Sequence, residues 1–297
     1  MPATLTPLRY PGGKTKLYPL VRDILECNGL IGQTYIEPFA GGAGLALKLL
    51  LRGDVKRIVI NDFDPSIYAF WYSVIEHTAE FCELIRISPL TIDEWNRQKE
   101  IFSRQDAADP LSLGFSTFFL NRTNISGVIK GGLIGGIQQN GNYQMDARFT
   151  KATSIKKIED IARYKSNIHI YNLDAQVLLS PAWLGQYYKV LINFDPPYVK
   201  KGSKLYKNAF EEADHRGLAE KIANCHRKWI VTYDICPLIA EIYSGFRHGF
   251  LDVSYSISTP KAAKEYIFYS DNLKVPEGEK IFCPQKKTPE RAISLSG

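Results

Sequence analysis

Apolar runs that stop abruptly at polar or turn-forming residues recur along the chain. Lys189-Val190-Leu191-Ile192-Asn193-Phe194 is the clearest. It is rich in β-branched residues and has no polar break before Asn193, which predicts a strand buried on both faces, as in a parallel sheet. Similar runs predict strands at Thr34–Glu37, Arg57–Asp62, Asn167–Asp174 and Trp229–Tyr233, with two more near Phe250–Ser256 and Glu265–Tyr269 on either side of Thr259-Pro260-Lys261. Helical patterns fall between them, over Leu17–Cys27, Leu45–Leu50, Asp214–Cys225 and Pro237–Tyr243. Strands alternating with helices predict an α/β fold with a mainly parallel sheet.

The alternation is interrupted between Pro65 and Lys165. Ser66–Ile87 reads as helix rich in aromatic residues, expected mostly in a core. A polar stretch runs on to Asp109, and an apolar segment, Leu113–Leu120, follows. Gly131–Asn142 then carries so many glycines and amides that it predicts a loop or hairpin on a small helical subdomain. The expected organisation is a discontinuous α/β domain, 1–64 and 166–275, an inserted helical domain, 65–165, and a loose tail, 276–297, where apolar periodicity is lost.

At 297 residues, 45% hydrophobic and 23% charged, the chain is long enough for a well-buried core and has an ordinary globular composition. Its net charge of +6 permits a polyanionic partner. The five cysteines are scattered without metal-ligand spacing, which predicts reduced thiols in a cytoplasmic protein and no metal. No apolar run approaches membrane-spanning length, so no membrane partner is expected. No obligate protein partner is evident.

The candidate chemistry sits where strands end. Asp195-Pro196-Pro197-Tyr198 follows the central run, and the two prolines stiffen the exit from the sheet. A carboxylate and a carbonyl there can each accept an N–H of an exocyclic amine such as that of adenine, freeing its lone pair, while Tyr198 stacks on the base. A plain strand exit with a capping aspartate would use the same residues. The Pro11-Gly12-Gly13 turn with Lys14 can hold an anionic group such as a carboxylate. Glu37-Pro38-Phe39-Ala40-Gly41-Gly42-Ala43-Gly44 leads from a strand into a helix, and Asp62 ends the next strand, where such folds set a carboxylate on a ribose diol. Asp174 ends a third strand and either accepts from an adenine amino group or caps the turn after it. Arg122, Asn124 and the amides of 138–140 suit base edges and phosphates as well as structural roles.

These segments, in this order over about residues 7–272, resemble the Dam-type (D12 class) N6-adenine DNA methyltransferases. The resemblance implies a Rossmann-like S-adenosylmethionine-dependent methyltransferase fold with an inserted helical target-recognition domain. It implies transfer of a methyl group to N6 of an adenine flipped out of duplex DNA. By position, Tyr10, Lys14, Phe39, Ala40, Gly41, Gly42, Gly44, Asp62, Asp174 and Asp195 would form the S-adenosylmethionine site. Asp195, Pro196, Pro197 and Tyr198 would be catalytic. Asn121, Arg122, Asn124, Ser126, Lys130, Gln138, Gln139, Asn140 and Arg148 would contact DNA. Two departures stand out: Ala175 follows Asp174 where the family has an aromatic, and the segment 135–141 lacks the Asn-x-Pro-x-Gly of GATC-methylating members. The same chemistry on cytosine N4, RNA adenine or a protein glutamine is the nearest rival. A catalytically idle DNA-binding regulator is another, though it would be expected to have a broken Asp-Pro-Pro-Tyr or glycine turn. The residues leave open the recognition sequence, and whether the protein stands alone or partners a restriction enzyme.

Overall fold

The computed structural model describes residues 5–9, 14–199, 210–255 and 261–283. Seven strands among them form one sheet: β1 (Thr34–Glu37), β2 (Arg57–Asn61), β3 (Ile168–Tyr171), β4 (Val190–Phe194), β5 (Lys228–Asp234), β6 (Arg247–Tyr255) and β7 (Lys261–Tyr269). Their order is β3-β2-β1-β4-β5-β7-β6. The first five are mutually parallel, and β7 runs antiparallel to both β5 and β6. This is the α/β, mainly parallel architecture expected.

The central strands are buried on both faces because alternate residues feed two different cores. Tyr35, Ile58, Ile60 and Leu191 point to one core, shared with α1 (Tyr18–Cys27) and α2 (Gly44–Leu51). Ile36, Val59, Ile192 and Phe194 point to the other, with α8 (Pro181–Leu184), α9 (Glu212–Ala223) and α10 (Pro237–Ile242) on that side of the chain's path. Burying each such side chain contributes about 1.5–3 kcal/mol.

Between β2 and β3 lie five α-helices: α3 (Pro65–Glu76), α4 (Thr78–Ile87), α5 (Ile92–Arg104), α6 (Pro110–Thr123) and α7 (Lys151–Ala162). The predicted helix over Ser66–Ile87 breaks at His77, which leaves helical geometry at ψ 40°. The polar stretch after it forms α5, capped by Thr91, whose hydroxyl accepts from the Glu94 amide. Phe70 meets Phe81 at 5.8 Å and Phe118 at 6.1 Å, and Phe118 meets Phe149 at 5.3 Å. Such pairs contribute about 0.5–1.5 kcal/mol each beyond their burial. These rings are continuous with the core under α1 and α2, so the helices rest on one face of the sheet.

Two strands are longer than expected. β6 begins at Arg247 and β7 at Lys261, because their backbone ladder runs from Arg247↔Tyr269 to Tyr255↔Lys261. The expected loose tail is ordered at its start: Phe282 and His248 exchange two backbone hydrogen bonds, at 2.7 and 3.0 Å, which adds a bridge to the sheet edge. The basic loop Lys200–Asn208 lies outside the described residues. Among the described residues, no helix is long and apolar enough to cross a membrane.

Candidate active site

The parallel order β3-β2-β1-β4 sets four carboxyl ends side by side. The glycine turn after β1, Asp62 after β2, Asp174 beyond β3 and Asp195 after β4 therefore share one rim of the sheet, the ligand position of open α/β folds. Asn61, which sequence reasoning passed over, ties this rim together. Its Nδ2 donates to the carbonyls of Pro38 and Leu173, each at 2.9 Å, and its Oδ1 accepts from the Leu173 amide. A buried amide satisfied from two loops, those after β1 and β3, fixes them relative to one another.

Asp62 is held from two directions. Oδ2 accepts from the Gly41 amide at 2.8 Å and Oδ1 from the Asp64 amide at 3.0 Å. Burial pushes its carboxyl up to about 7, against the pull of those amides. Asp62 forms no salt bridge among the described residues. Phe63 beside it is 56% exposed, a large apolar ring left open at the rim. The glycine turn itself is tight: Gly41 sits at φ 46°, and its carbonyl accepts from the Trp71 indole at 2.8 Å. Ala40 and Gly42 are buried in that turn, and Phe39 is half-buried with its ring 5.8 Å from Phe210. Gly44 has a packing reason as well, since a Cβ there would meet the Thr15 hydroxyl at 2.6 Å. Asp174 is exposed and accepts from the Gln176 amide at 2.8 Å, which makes it a local cap in this state. Tyr10 lies outside the described residues.

At the end of β4 the catalytic candidates converge. Asp195 Oδ1 accepts from the Thr232 hydroxyl at 2.8 Å and pairs with Lys14 Nζ at 3.2 Å. Lys14 also pairs with Glu265 at 2.9 Å and donates to the Tyr198 hydroxyl. Burial alone would lower the ammonium pKa, but the two carboxylates outweigh it and raise it. Burial raises the Asp195 carboxyl above its usual range, only partly countered by Lys14 and Thr232. Pro11, Gly12 and Gly13 of the turn read as anion-holding lie outside the described residues, while Lys14 has three acceptors within the protein. Thr232 and Glu265 gave no sequence signal, being polar residues inside predicted strands with no motif around them. Glu37, 6% exposed on β1, accepts from the Tyr35 hydroxyl at 3.2 Å, and burial raises its carboxyl to about 8.

The expected DNA-contacting residues divide into buried and exposed sets. Asn121 and Asn124 are buried, at 1% and 0% exposure, with their amides engaged inside the protein. Asn121 accepts from the Arg9 amide at 2.8 Å and donates to the carbonyls of Arg9 and Gly127. Asn124 accepts from the Trp95 indole at 2.8 Å and donates to the carbonyls of Val128 and Ile129. Gln139 is likewise committed to its own loop. Its amide donates to Ile134 and Gly136 carbonyls and accepts from the Met145 amide. Gln138, Asn140, Lys130, Ser126 and Arg148 are exposed. Ser126 holds φ 57°, and Gly127 beside it holds φ 76° where a Cβ would strike the Arg9 carbonyl at 2.4 Å.

Those buried asparagines seat residues 5–9 against α6, and cations gather along the seam. Arg9 donates to the Asn124 carbonyl at 3.0 Å and Arg122 to the Pro7 carbonyl at 3.4 Å. Burial, then Arg9 and Arg148, bring the Arg122 guanidinium down to about 10. None of these three arginines forms a salt bridge among the described residues, and the Arg122 Nε is buried without a partner. Uncompensated cations of this kind suit an anionic backbone.

The type II methyltransferase M.MjaIII of Methanocaldococcus jannaschii is 22% identical over 208 residues, covering 64% of this chain and 68% of its own. PH1948 of Pyrococcus horikoshii, a solved structure assigned as an RNA methyltransferase, is 11% identical over 91% of this chain and 88% of its own. The TM-score between the two is 0.42. A family model, that of the D12 class N6 adenine-specific DNA methyltransferases, matches residues 10–257. That span takes in the glycine turn, the helices between β2 and β3 and the Asp-Pro-Pro-Tyr exit from β4, and the chain belongs to this family of adenine-specific DNA methyltransferases.

Proposed function

We propose that the protein draws a target adenine out of duplex DNA into the rim of the sheet at β4, and that Asp195 there directs its N6 at a methyl group of S-adenosylmethionine. The observation that carries this reading is the free edge of the exit loop. Asp195 Oδ1 is taken by Thr232 and Lys14, while Oδ2 and the Pro196 carbonyl receive no hydrogen bond from the described residues. Two acceptors on a stiff loop match the two N–H bonds of an exocyclic amine.

The S-adenosylmethionine-binding residues are read as the glycine turn, Asp62 at the ribose and Phe63 against the adenine, the wall that Ala175 does not supply. When bound, S-adenosylmethionine supplies a methyl carbon on a positively charged sulfur that keeps the C–S electron pair as the new N–C bond forms. The chain orients the acceptor. Asp195 Oδ2 and the Pro196 carbonyl hold the amine, Tyr198 stacks on the base, and positive charge grows on nitrogen beside the carboxylate. Asp195, with its raised proton affinity, then takes the proton that the methylated nitrogen sheds and passes it to solvent. Arg9, Arg122 and Arg148 would meet DNA phosphates, with Gln138 and Asn140 at base edges. The likeness to a type II methyltransferase supports a modification role on duplex sites.

Asp195→Ala should abolish methyl transfer while leaving S-adenosylmethionine and DNA affinity within several-fold, because the contact is made mainly in the reacting complex. A duplex with 2-aminopurine at the target position should brighten when the protein binds, as the extruded base loses its stacking. Extrusion costs a few kcal/mol, so a missing fluorescence rise under saturating protein would exclude flipping.

A further inference from the structure

We propose that Glu265 is a positioning residue for Asp195, acting through Lys14 to keep the ammonium on one edge of the catalytic carboxylate. The inference rests on the reading of Asp195 as the amine's acceptor. Glu265 lies on β7, the antiparallel strand, directly across from Asp234 of β5, and is 1% exposed. Its Oε2 stands 2.9 Å from Lys14 Nζ, whereas Asp195 Oδ1 stands at 3.2 Å.

A lysine with one carboxylate partner is free to slide across both of its oxygens, since the ammonium is a compact charge with three rotatable donors. Sliding to Oδ2 would cover the atom that the target amine needs. The shorter bond to Glu265 and the donation to Tyr198 hold Lys14 at Oδ1, the oxygen that also accepts from Thr232. Lys14 thereby supplies its charge without occupying the working oxygen.

The arrangement also sets opposite signs for two variants. The groups that act on Asp195 are Lys14, Tyr35 and Glu37 on β1, Thr232 and Tyr233 on β5, and Glu265 on β7. Glu37, with its carboxyl at about 8, and Asp62, at about 7, also titrate in this range, so the profile is taken at saturating S-adenosylmethionine and Asp195 is read from the displacement of each variant's limb relative to wild type. Removing the Glu265 charge takes a like charge from Asp195 and gives it more of Lys14, so its proton should leave at lower pH. Removing Lys14 leaves Asp195 and Glu265 without the cation between them, so the proton should leave at higher pH.

The test is single-turnover methylation of duplex DNA from pH 5 to 9 with Glu265→Gln, Lys14→Gln and Asp195→Ala, alongside S-adenosylmethionine and DNA binding and thermal melting. Glu265→Gln should slow transfer about tenfold at neutral pH, the weight of one displaced hydrogen bond on the reacting nitrogen, with binding little changed. Its acid limb should move down and that of Lys14→Gln up. A normal rate for Glu265→Gln, limbs that move together, or a rate loss that comes with lowered melting and an unmoved limb would each overturn the role of Glu265. An active Asp195→Ala would instead overturn the underlying assignment. Inactive Asp195→Ala beside normal Glu265→Gln would leave that assignment standing and remove only the inference.

Discussion

At the scale of single residues, Asp62 shows how one carboxylate is set for a ligand by its surroundings. The amides of Gly41 and Asp64 orient it, and burial leaves its carboxyl at about 7. If the ionised form accepts the ribose hydroxyls, S-adenosylmethionine should bind about tenfold more weakly at pH 6 than at pH 8, since the ionised fraction changes by that factor across a pKa of 7. Asp62→Asn should weaken binding and flatten the pH dependence. Isothermal titration at several pH values would measure both, and a wild-type affinity constant with pH would reduce Asp62 to a holder of the glycine turn. Phe63 carries a related expectation from exposure alone: a ring 56% open at this rim has no packing reason to be aromatic.

At the scale of elements, strand order and loop closure decide which side chains are available. The glycine-rich segment after α6 is a closed loop, with Ile125 and Ile134 amides bonded back to Gly132 and Thr123 carbonyls. Gln139 holds that closure from inside, whereas Gln138 and Asn140 stand exposed at the tip. The two glutamines should therefore behave differently. Gln138→Ala should relax base preference at one position by about 1–3 kcal/mol, the discrimination of a bidentate amide contact. Gln139→Ala should lower affinity for all sites alike by loosening the loop, with site preference retained. Methylation profiling on a randomised duplex library separates the two outcomes, and equal loss of preference in both variants would contradict the assignment. Arg148→Ala, by contrast, should weaken every sequence similarly and reduce the salt dependence by about one unit.

At the scale of the whole molecule, the buried acids of the site make stability pH-dependent. Glu37 keeps its proton up to about 8 in the folded chain, against an ordinary value of 4.5. Between those values the folded state binds a proton that the unfolded state has released. The stabilisation is therefore full below about pH 4.5 and lost as pH rises through 8, at about 1.4 kcal/mol per unit of displacement. Melting temperature should fall between pH 6 and 9, and Glu37→Gln should flatten that fall; an identical slope in the variant would mean that Glu37 is ionised throughout. Much of this molecule was legible in the chain. Tyr35, Ile58, Leu191 and their neighbours declare strands through local composition, and Gly41, Asp62 and Asp195 mark strand ends because turn chemistry is local. The side on which a residue is buried was not legible. Asn121 and Asn124 look like DNA readers in sequence, but α6 is buried on nearly every side, and residues 5–9 and α5 cover the amides. Nor could any window reveal the cluster at Asp195, where Lys14 and Glu265 meet across 251 positions of chain. The sequence by itself determined the strands, their terminal motifs and the chemistry those motifs suit, since each depends on a few adjacent residues. Only the tertiary structure decided which charges share a carboxylate and which amides reach solvent, because burial and electrostatic pairing depend on segments brought together by the sheet.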